Sequence, residues 1–113
     1  MRKSLTRRER IKAKAALAGI FAGASKVETR GIKLFYRENS LRWNRIAVCP
    51  VRGFRNAVQR NRQKRLCREA YRQIKERLKP GYDLAFVLYP GAYGFSERMN
   101  QMHEVLQRAG LKR

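Results

Sequence analysis

The sequence has few of the side chains that carry out acid–base or metal chemistry. It contains one histidine, His103, and eight Asp and Glu residues, with no P-loop, G-x-G-x-x-G, D-x-D or E-x-x-H pattern. A protein nuclease that uses two metal ions needs clustered carboxylates, which this sequence does not provide. We therefore expect no catalytic residue, no metal ligand and no cofactor bound by the protein itself.

Cysteine is equally scarce. Cys49 and Cys67 form no C-x-x-C pair and have no histidine or further cysteine around them. This isolation argues against a metal or redox site. We expect both to be reduced thiols that are buried as small hydrophobic groups.

Long apolar runs are absent as well. No stretch approaches the ~18 apolar residues of a membrane span. The apolar segment Ala15–Ala24 is only ten residues long and rich in Ala and Gly, so it resembles a helix face more than a secretory signal. The sequence therefore predicts a cytoplasmic protein that has no membrane partner. Its 113 residues, 43% of them hydrophobic, suit one domain with a modest core, preceded by a mobile basic segment at residues 1–5.

Negative charge is the scarcest feature of all. Eight acidic residues stand against 28 Lys and Arg, which gives a net charge of +20 and a pI of about 11.4. Arginine outnumbers lysine by 19 to 9, and its planar guanidinium binds phosphate in a bidentate way and stacks on bases. Nucleic acid is therefore the leading partner class, ahead of an anionic membrane surface.

Hydrophobic periodicity predicts an α+β domain in the order α-β-β(-β)-α-β-α. A capping box at Thr6 and Glu9 opens the first helix, in which Ala13, Leu17, Ile20, Phe21 and Ala24 share one face. The other predicted elements, in chain order, are a strand over Val27–Glu38, a strand region over Leu41–Val51, a helix from the cap Asn56 to Lys79, a buried strand over Tyr82–Tyr89 and a helix capped by Ser96. Pro50 indicates an edge, a bulge or a break into a third short strand.

The long helix has one buried stripe and one almost purely cationic face. At 100° per residue the face carries Asn61, Lys64, Arg65, Arg68, Arg72, Lys75 and Lys79. Such a face is either a solvated surface or a binding site for a polyanion. Because like charges at i,i+4 repel by ~0.2–0.5 kcal/mol per pair, we favour an anionic partner.

A second basic surface is predicted on the first strand. Lys33, Phe35 and Arg37 alternate to one face of it. The row is either an exposed aromatic between solvated cations or a stacking platform for bases with phosphate partners beside it. The residues alone leave both readings open.

Residues 56–72, NAVQRNRQKRLCREAYR, closely resemble the signature of the bacterial ribonuclease P protein component. The core of that signature is R-N-R-x-K-R-x-x-R-E followed by an aromatic residue and Arg, and nine positions match it. The resemblance implies a four-stranded mixed sheet with a left-handed β-α-β crossover. It also implies a monomer that binds a catalytic RNA and assists it in removing the 5′ leader of precursor tRNA, with Mg²⁺ serving the RNA.

The resemblance assigns two sets of residues. The set expected to contact the catalytic RNA is Arg60, Asn61, Arg62, Lys64, Arg65, Arg68 and Arg72. The set expected to hold the leader, to which the basic strand face contributes, is Leu17, Phe21, Lys33, Phe35, Arg37 and Arg52. The sequence departs from the family at Leu17, where Phe is common, at Arg52-Gly53, where a Lys pair is usual, and at Arg55, where Gly is frequent. The alternatives are a ribosomal or other small basic RNA-binding protein without a role in cleavage and, behind it, a nucleoid-type DNA-binding protein.

Overall fold

Nine elements make up the chain in the computed structural model, which describes residues 7–11 and 14–113, apart from the side chains of residues 14–17. The helices are a 3₁₀ turn at Arg7–Glu9, α1 (Lys14–Gly23), α2 (Ala57–Ile74), a 3₁₀ turn at Lys75–Arg77 and α3 (Phe95–Arg108). The strands are β1 (Ser25–Thr29), β2 (Ile32–Glu38), β3 (Arg45–Pro50) and β4 (Tyr82–Leu88). No described helix is long and apolar enough to cross a membrane.

The strands form one mixed sheet in the order β1-β2-β4-β3. β1 and β2 pair in antiparallel fashion, as do β2 and β4, whereas β3 runs parallel to β4. The parallel pair is joined through α2, which makes a β-α-β crossover. The predicted α+β class with a four-stranded mixed sheet is confirmed, while the left hand of the crossover stays a prediction.

Two strand boundaries differ from the prediction. The single strand expected over 27–38 is a hairpin, because Gly31 adopts a φ of 87° and reverses the chain between Thr29 and Ile32. The alternating pattern continues through this turn and therefore conceals it. In the region 41–51 only Arg45–Pro50 is a strand. Pro50 lies at the end of this edge strand, so of the three possibilities that the sequence left open for Pro50 the edge position is the one found.

The helix ends also differ in part. Asn56 caps α2 as predicted, since its Oδ1 accepts a hydrogen bond from the Gln59 N–H at 2.9 Å, but α2 ends at Ile74 and not at Lys79. α3 begins at Phe95 after the cap Gly94, whose N–H donates to the Glu97 carboxylate at 2.9 Å, so Ser96 is not the cap.

The predicted capping box of the first helix involves Thr6, which lies outside the described residues, as does Ala13. Glu9 belongs to a 3₁₀ turn and contacts Lys75 at 3.1 Å. The 3₁₀ turn at Arg7–Glu9 stands where the first turn of the predicted helix was expected, and α1 is described over Lys14–Gly23.

The main core lies between one face of the sheet and the helices α2 and α3. Alternate residues of β2 and β4 are fully buried on this face, and they meet the apolar stripes of both helices. The core side chains include Ile32, Leu34, Leu84, Phe86, Leu88, Cys67, Tyr71, Ile74, Met102, Val105 and Leu106. The predicted stripe of α2 is therefore the buried one.

Among the described residues, α1 covers part of the opposite face of the sheet. This helix packs against β2 and β4. Ile20 is completely buried, and the small residues Ala47 and Ala85 provide the buried floor of the face. The residues that alternate with the core residues along β2, namely Lys33, Phe35 and Arg37, are therefore left beside α1 at a partly open surface.

A buried arginine that the sequence pattern did not reveal joins three parts of the fold. Arg98 of α3 is inaccessible to solvent and donates to the Gln63 Oε1 (2.7 Å), the Gly31 carbonyl (2.8 Å) and the Tyr89 carbonyl (2.9 Å). Burial lowers the pKa of its guanidinium. The Tyr93 ring lies 4.7 Å from its Cζ atom. Arg98 thus ties the β1–β2 hairpin to α2 and to the end of β4.

Candidate nucleic-acid interface

A basic groove runs along the exposed side of α2. It encloses about 510 Å³. We call this surface the basic groove and define it by its lining residues Arg10, Asn61, Lys64, Arg65, Arg68, Glu69 and Arg72. All but Arg10 come from successive turns of α2, because residues three, four and seven positions apart share one side of a helix.

Arg10 reaches the groove because the segment before α1 adds to the sheet. Arg10 forms a parallel bridge with Ile46, and the Ile11 N–H donates to the Ile46 carbonyl at 2.8 Å. This places a cation from the N-terminal segment opposite those of α2. Sequence reasoning missed Arg10, because no local pattern indicates its pairing with the distant Ile46.

The positive charge of the groove is largely unopposed. Glu69 is its one carboxylate among the described lining residues, and it pairs with Arg72 at 3.1 Å. Within the described part of the chain, Lys64, Arg65 and Arg68 form no ion pair and no side-chain hydrogen bond. Three adjacent cations without protein partners repel one another and suit a row of phosphates.

The structure divides the residues predicted to contact the catalytic RNA. Asn61, Lys64, Arg65, Arg68 and Arg72 line the basic groove, whereas Arg60 and Arg62 do not. Arg60 is exposed in the first turns of α2, and Arg62 lies beside Tyr93 and Gly94 on a neighbouring surface. The signature thus presents cations to more than one side of the helix.

An aromatic face lies on the other side of the sheet. The rings of Phe21 in α1 and Phe35 in β2 meet edge to face, with centroids 4.9 Å apart and planes at 83°. Lys33 Nζ lies 5.5 Å from the Phe35 centroid, and Phe21 remains 39% exposed. We call Phe21, Lys33, Phe35 and Arg37 the aromatic face. It combines an accessible ring with cations, as single-stranded nucleic acid requires.

Arg37 has a second role, since it belongs to an ionic cluster beneath α1. Its Nε lies 3.8 Å from the carboxylate of Asp83, which is only 1% exposed. Arg45 binds the same carboxylate through two hydrogen bonds of 2.8 Å, and Asn39 donates a third at 3.0 Å. Burial of the carboxyl raises its pKa, but these hydrogen bonds and the neighbouring positive charges outweigh that effect, so the pKa of Asp83 lies below its ordinary value.

Two further predicted leader residues remain, Leu17 and Arg52. The side chain of Leu17 lies outside the described part of the structure. Arg52 is exposed in the loop after β3, and no described contact links it to Phe21 or Phe35. The neighbouring Gly53 packs closely on Pro90, because a Cβ atom there would lie 3.2 Å from the proline Cγ.

The chemically reactive side chains are dispersed. Among the described residues no group of three or more His, Cys, Asp and Glu could hold a metal ion. Both cysteines are free thiols, with Cys67 buried and Cys49 only partly so; burial raises the pKa of Cys67 to about 12. His103 is partly exposed on α3, and burial lowers its pKa, as do the charges of Lys112 and Arg77.

These features define a small, strongly basic α+β domain with two surfaces suited to a polyanion. The particular family follows from sequence comparison: the profile of the ribonuclease P family matches residues 5–110. The chain is 38% identical over 81 residues to the ribonuclease P protein component of Borrelia duttonii, which covers 71% of each chain. It is 36% identical over 81 residues to the ribonuclease P protein component of Petrotoga mobilis, and this alignment covers 72% of this chain and 69% of the relative.

The chain therefore belongs to the family of ribonuclease P protein components, which assigns it to tRNA processing within a ribonucleoprotein nuclease. Its fold agrees with the solved RNase P protein of Staphylococcus aureus. That comparison gives a TM-score of 0.84 with 23% sequence identity, over 93% of this chain and 98% of the other.

Proposed function

We propose that this chain binds the catalytic RNA of ribonuclease P through the basic groove and the 5′ leader of precursor tRNA on the aromatic face. In this role it assists endonucleolytic removal of the leader, which the RNA catalyses. The observation that carries the proposal is the separation of two basic surfaces, one without aromatic side chains and one built around a ring.

The basic groove has the properties of a site for structured RNA. A folded RNA presents mainly phosphates and 2′-hydroxyls, and side chains do not easily read its deep major groove. Lys64, Arg65 and Arg68 offer charge that no described carboxylate pairs with, and Asn61 adds an amide that can donate and accept. This supports contact with the RNA backbone and little reading of its sequence.

The aromatic face has the properties of a site for a single strand. Because Phe21 meets Phe35 edge to face, the two rings offer one shared stacking position and not two parallel ones. Each base stacked on an aromatic ring contributes ~1–3 kcal/mol. Lys33 stands near enough to Phe35 to neutralise a phosphate of the same nucleotide. A leader strand fits this arrangement better than a duplex, whose bases are already stacked.

Catalysis is assigned to the RNA because the described residues offer no constellation for hydrolysis of a phosphodiester. The single histidine and the dispersed carboxylates do not meet in one site. In this proposal Mg²⁺ serves the RNA-catalysed reaction, and we expect no cofactor on the protein itself. We infer that one copy of the protein acts in the cytoplasm, where precursor tRNA is processed.

The test is cleavage of precursor tRNA by the catalytic RNA of the same organism, at low Mg²⁺, with and without this protein. Stimulation by the protein supports the proposal, and the protein without RNA should show no cleavage under any metal condition. Binding of RNA without any stimulation would favour a small RNA-binding protein of the ribosomal kind. Cleavage by the RNA-free protein that a single carboxylate substitution abolishes would refute the assignment of catalysis to RNA.

A further inference from the structure

A second pocket lies beyond the C-terminal end of the basic groove, around the loop between β2 and β3. It encloses about 370 Å³, a volume within the usual range of small-ligand sites, roughly 300–1,000 Å³. We call it the Trp43 pocket. Its aromatic and cationic lining consists of Arg8, Arg42, Trp43, Tyr71, Lys75 and Arg113.

Trp43, the single tryptophan of the sequence, is held in a defined orientation without being buried. Its Nε1–H donates to the Arg8 carbonyl at 3.0 Å, and its own carbonyl accepts from Asn39 Nδ2 at 3.2 Å. The Arg8 guanidinium lies 4.6 Å from the indole centroid. A partly exposed indole fixed from two sides is pre-organised for stacking on a flat ligand.

The charge of the pocket favours an anion. Two carboxylates, Glu9 and Glu76, also line it, but Glu9 is paired with Lys75 at 3.1 Å. Arg42 forms no ion pair or side-chain hydrogen bond with any described residue. Arg113 uses its Nε to donate to the Leu78 carbonyl at 3.0 Å, and its terminal nitrogens have no acceptor in the described part of the chain. A flat aromatic surface beside available guanidinium groups matches the chemistry of a nucleotide.

The pocket continues the same side of the long helical segment as the basic groove. Lys75 lies three residues after Arg72, which lines the groove, and Lys75 lines the Trp43 pocket. From Asn61 to Lys75 the rise is about 21 Å at 1.5 Å per residue. An RNA segment that follows the groove therefore arrives at the indole.

We propose that the Trp43 pocket binds one unpaired nucleobase of the RNA whose phosphates lie along α2. Trp43 stacks on the base, while Arg42 and Arg113 bind the flanking phosphates. The inference rests on the proposed function, because RNA held in the basic groove delivers the base. It adds a site of base contact to a surface that otherwise recognises only backbone.

The first experiment uses the fluorescence of Trp43, which reports on this pocket alone. The protein is titrated with a ten-nucleotide oligoadenylate and, separately, with inorganic polyphosphate of matched charge. Binding of each is followed by competition against a labelled copy of the oligonucleotide. The oligoadenylate should quench the emission in a saturable way, whereas polyphosphate should bind with little quenching. Oligoadenylate binding without any change in emission, or equal quenching by polyphosphate, would overturn the proposal.

The second experiment uses the assembled ribonucleoprotein and separates stacking from folding. Trp43→Ala should weaken binding of the catalytic RNA by about 5- to 150-fold, the equivalent of one stacked base, whereas Trp43→Tyr should stay within about threefold of the parent. Because Trp43 also anchors Arg8, each variant is checked by its melting curve. Arg42→Gln tests the same pocket without touching the indole, and Arg30→Gln is its matched control at the exposed β1–β2 turn.

Arg42→Gln should weaken RNA binding severalfold, and Arg30→Gln should not. If the protein stimulates cleavage and needs the basic groove, but Trp43→Ala and Arg42→Gln bind RNA like the parent, then the Trp43 pocket is no RNA site and the proposed function stands. If the protein neither stimulates cleavage nor binds the catalytic RNA, the proposed function fails and the inference fails with it.

Discussion

Replacing Arg65 and Arg68 by alanine tests the basic groove most directly. Both side chains line the groove and have no protein partner within the described residues, so their removal should take away two phosphate contacts and nothing else. Each contact releases roughly 0.7–0.9 counterions. Over a fourfold rise in salt, from 50 to 200 mM, two contacts account for an affinity loss of about 7- to 12-fold. The double variant should bind more weakly than the parent at 50 mM salt. Its further loss of affinity up to 200 mM salt should be smaller than that of the parent by this factor of about 7 to 12.

The stability of the double variant should hardly change. Alanine is at least as good a helix former as arginine, and loss of Arg68 removes like-charge pairs with Lys64 and Arg72 that each cost ~0.2–0.5 kcal/mol. The melting midpoint should therefore stay within a few degrees of the parent.

The assay is a salt titration of binding to the catalytic RNA beside a thermal melt. Arg30→Ala combined with Arg77→Ala is the matched control, since both are exposed and lie outside the groove. A variant that folds normally but keeps the parental salt slope would refute the reasoning, because the groove would then be a solvated surface.

Three further predictions concern single residues. Phe35→Ala should weaken binding of precursor tRNA by ~1–3 kcal/mol and leave mature tRNA, which lacks a leader, unaffected in the same filter-binding assay; equal losses would contradict a leader site. His103→Ala should leave turnover of the holoenzyme nearly unchanged in a cleavage assay, and a large loss would place a catalytic group on the protein. Asp83→Asn should cost ~1–3 kcal/mol of unfolding free energy at neutral pH. Because folding lowers the pKa of Asp83, the parent should lose this stability difference as the pH falls through the folded pKa. The Asp83→Asn variant should lack that loss of stability in acid. Denaturant titrations of both proteins at several pH values measure the difference.

The periodicity of the long helix was informative because it is local. A step of 100° per residue places Asn61, Lys64 and Arg68 on one side whatever the rest of the chain does, and the structure has them there. The same reasoning could not find Arg10, whose place depends on its pairing with Ile46. Nor could it find the burial of Arg98, which depends on acceptors from three distant segments.

The surroundings of Arg37 in the aromatic face also depend on contacts with other elements. The alternation of β2 correctly put Phe35 beside two cations, but it treated Arg37 as equivalent to Lys33. In the structure Arg37 faces the buried Asp83, and a Cβ atom on Gly19 would lie only 3.3 Å from its Nη1. Arg37 therefore lies between the Asp83 carboxylate and α1, although its side chain remains 37% exposed. The place of Arg37 in the aromatic face thus involves a carboxylate in β4 and a glycine in α1, two residues before Phe21, and alternation along β2 alone reveals neither neighbour.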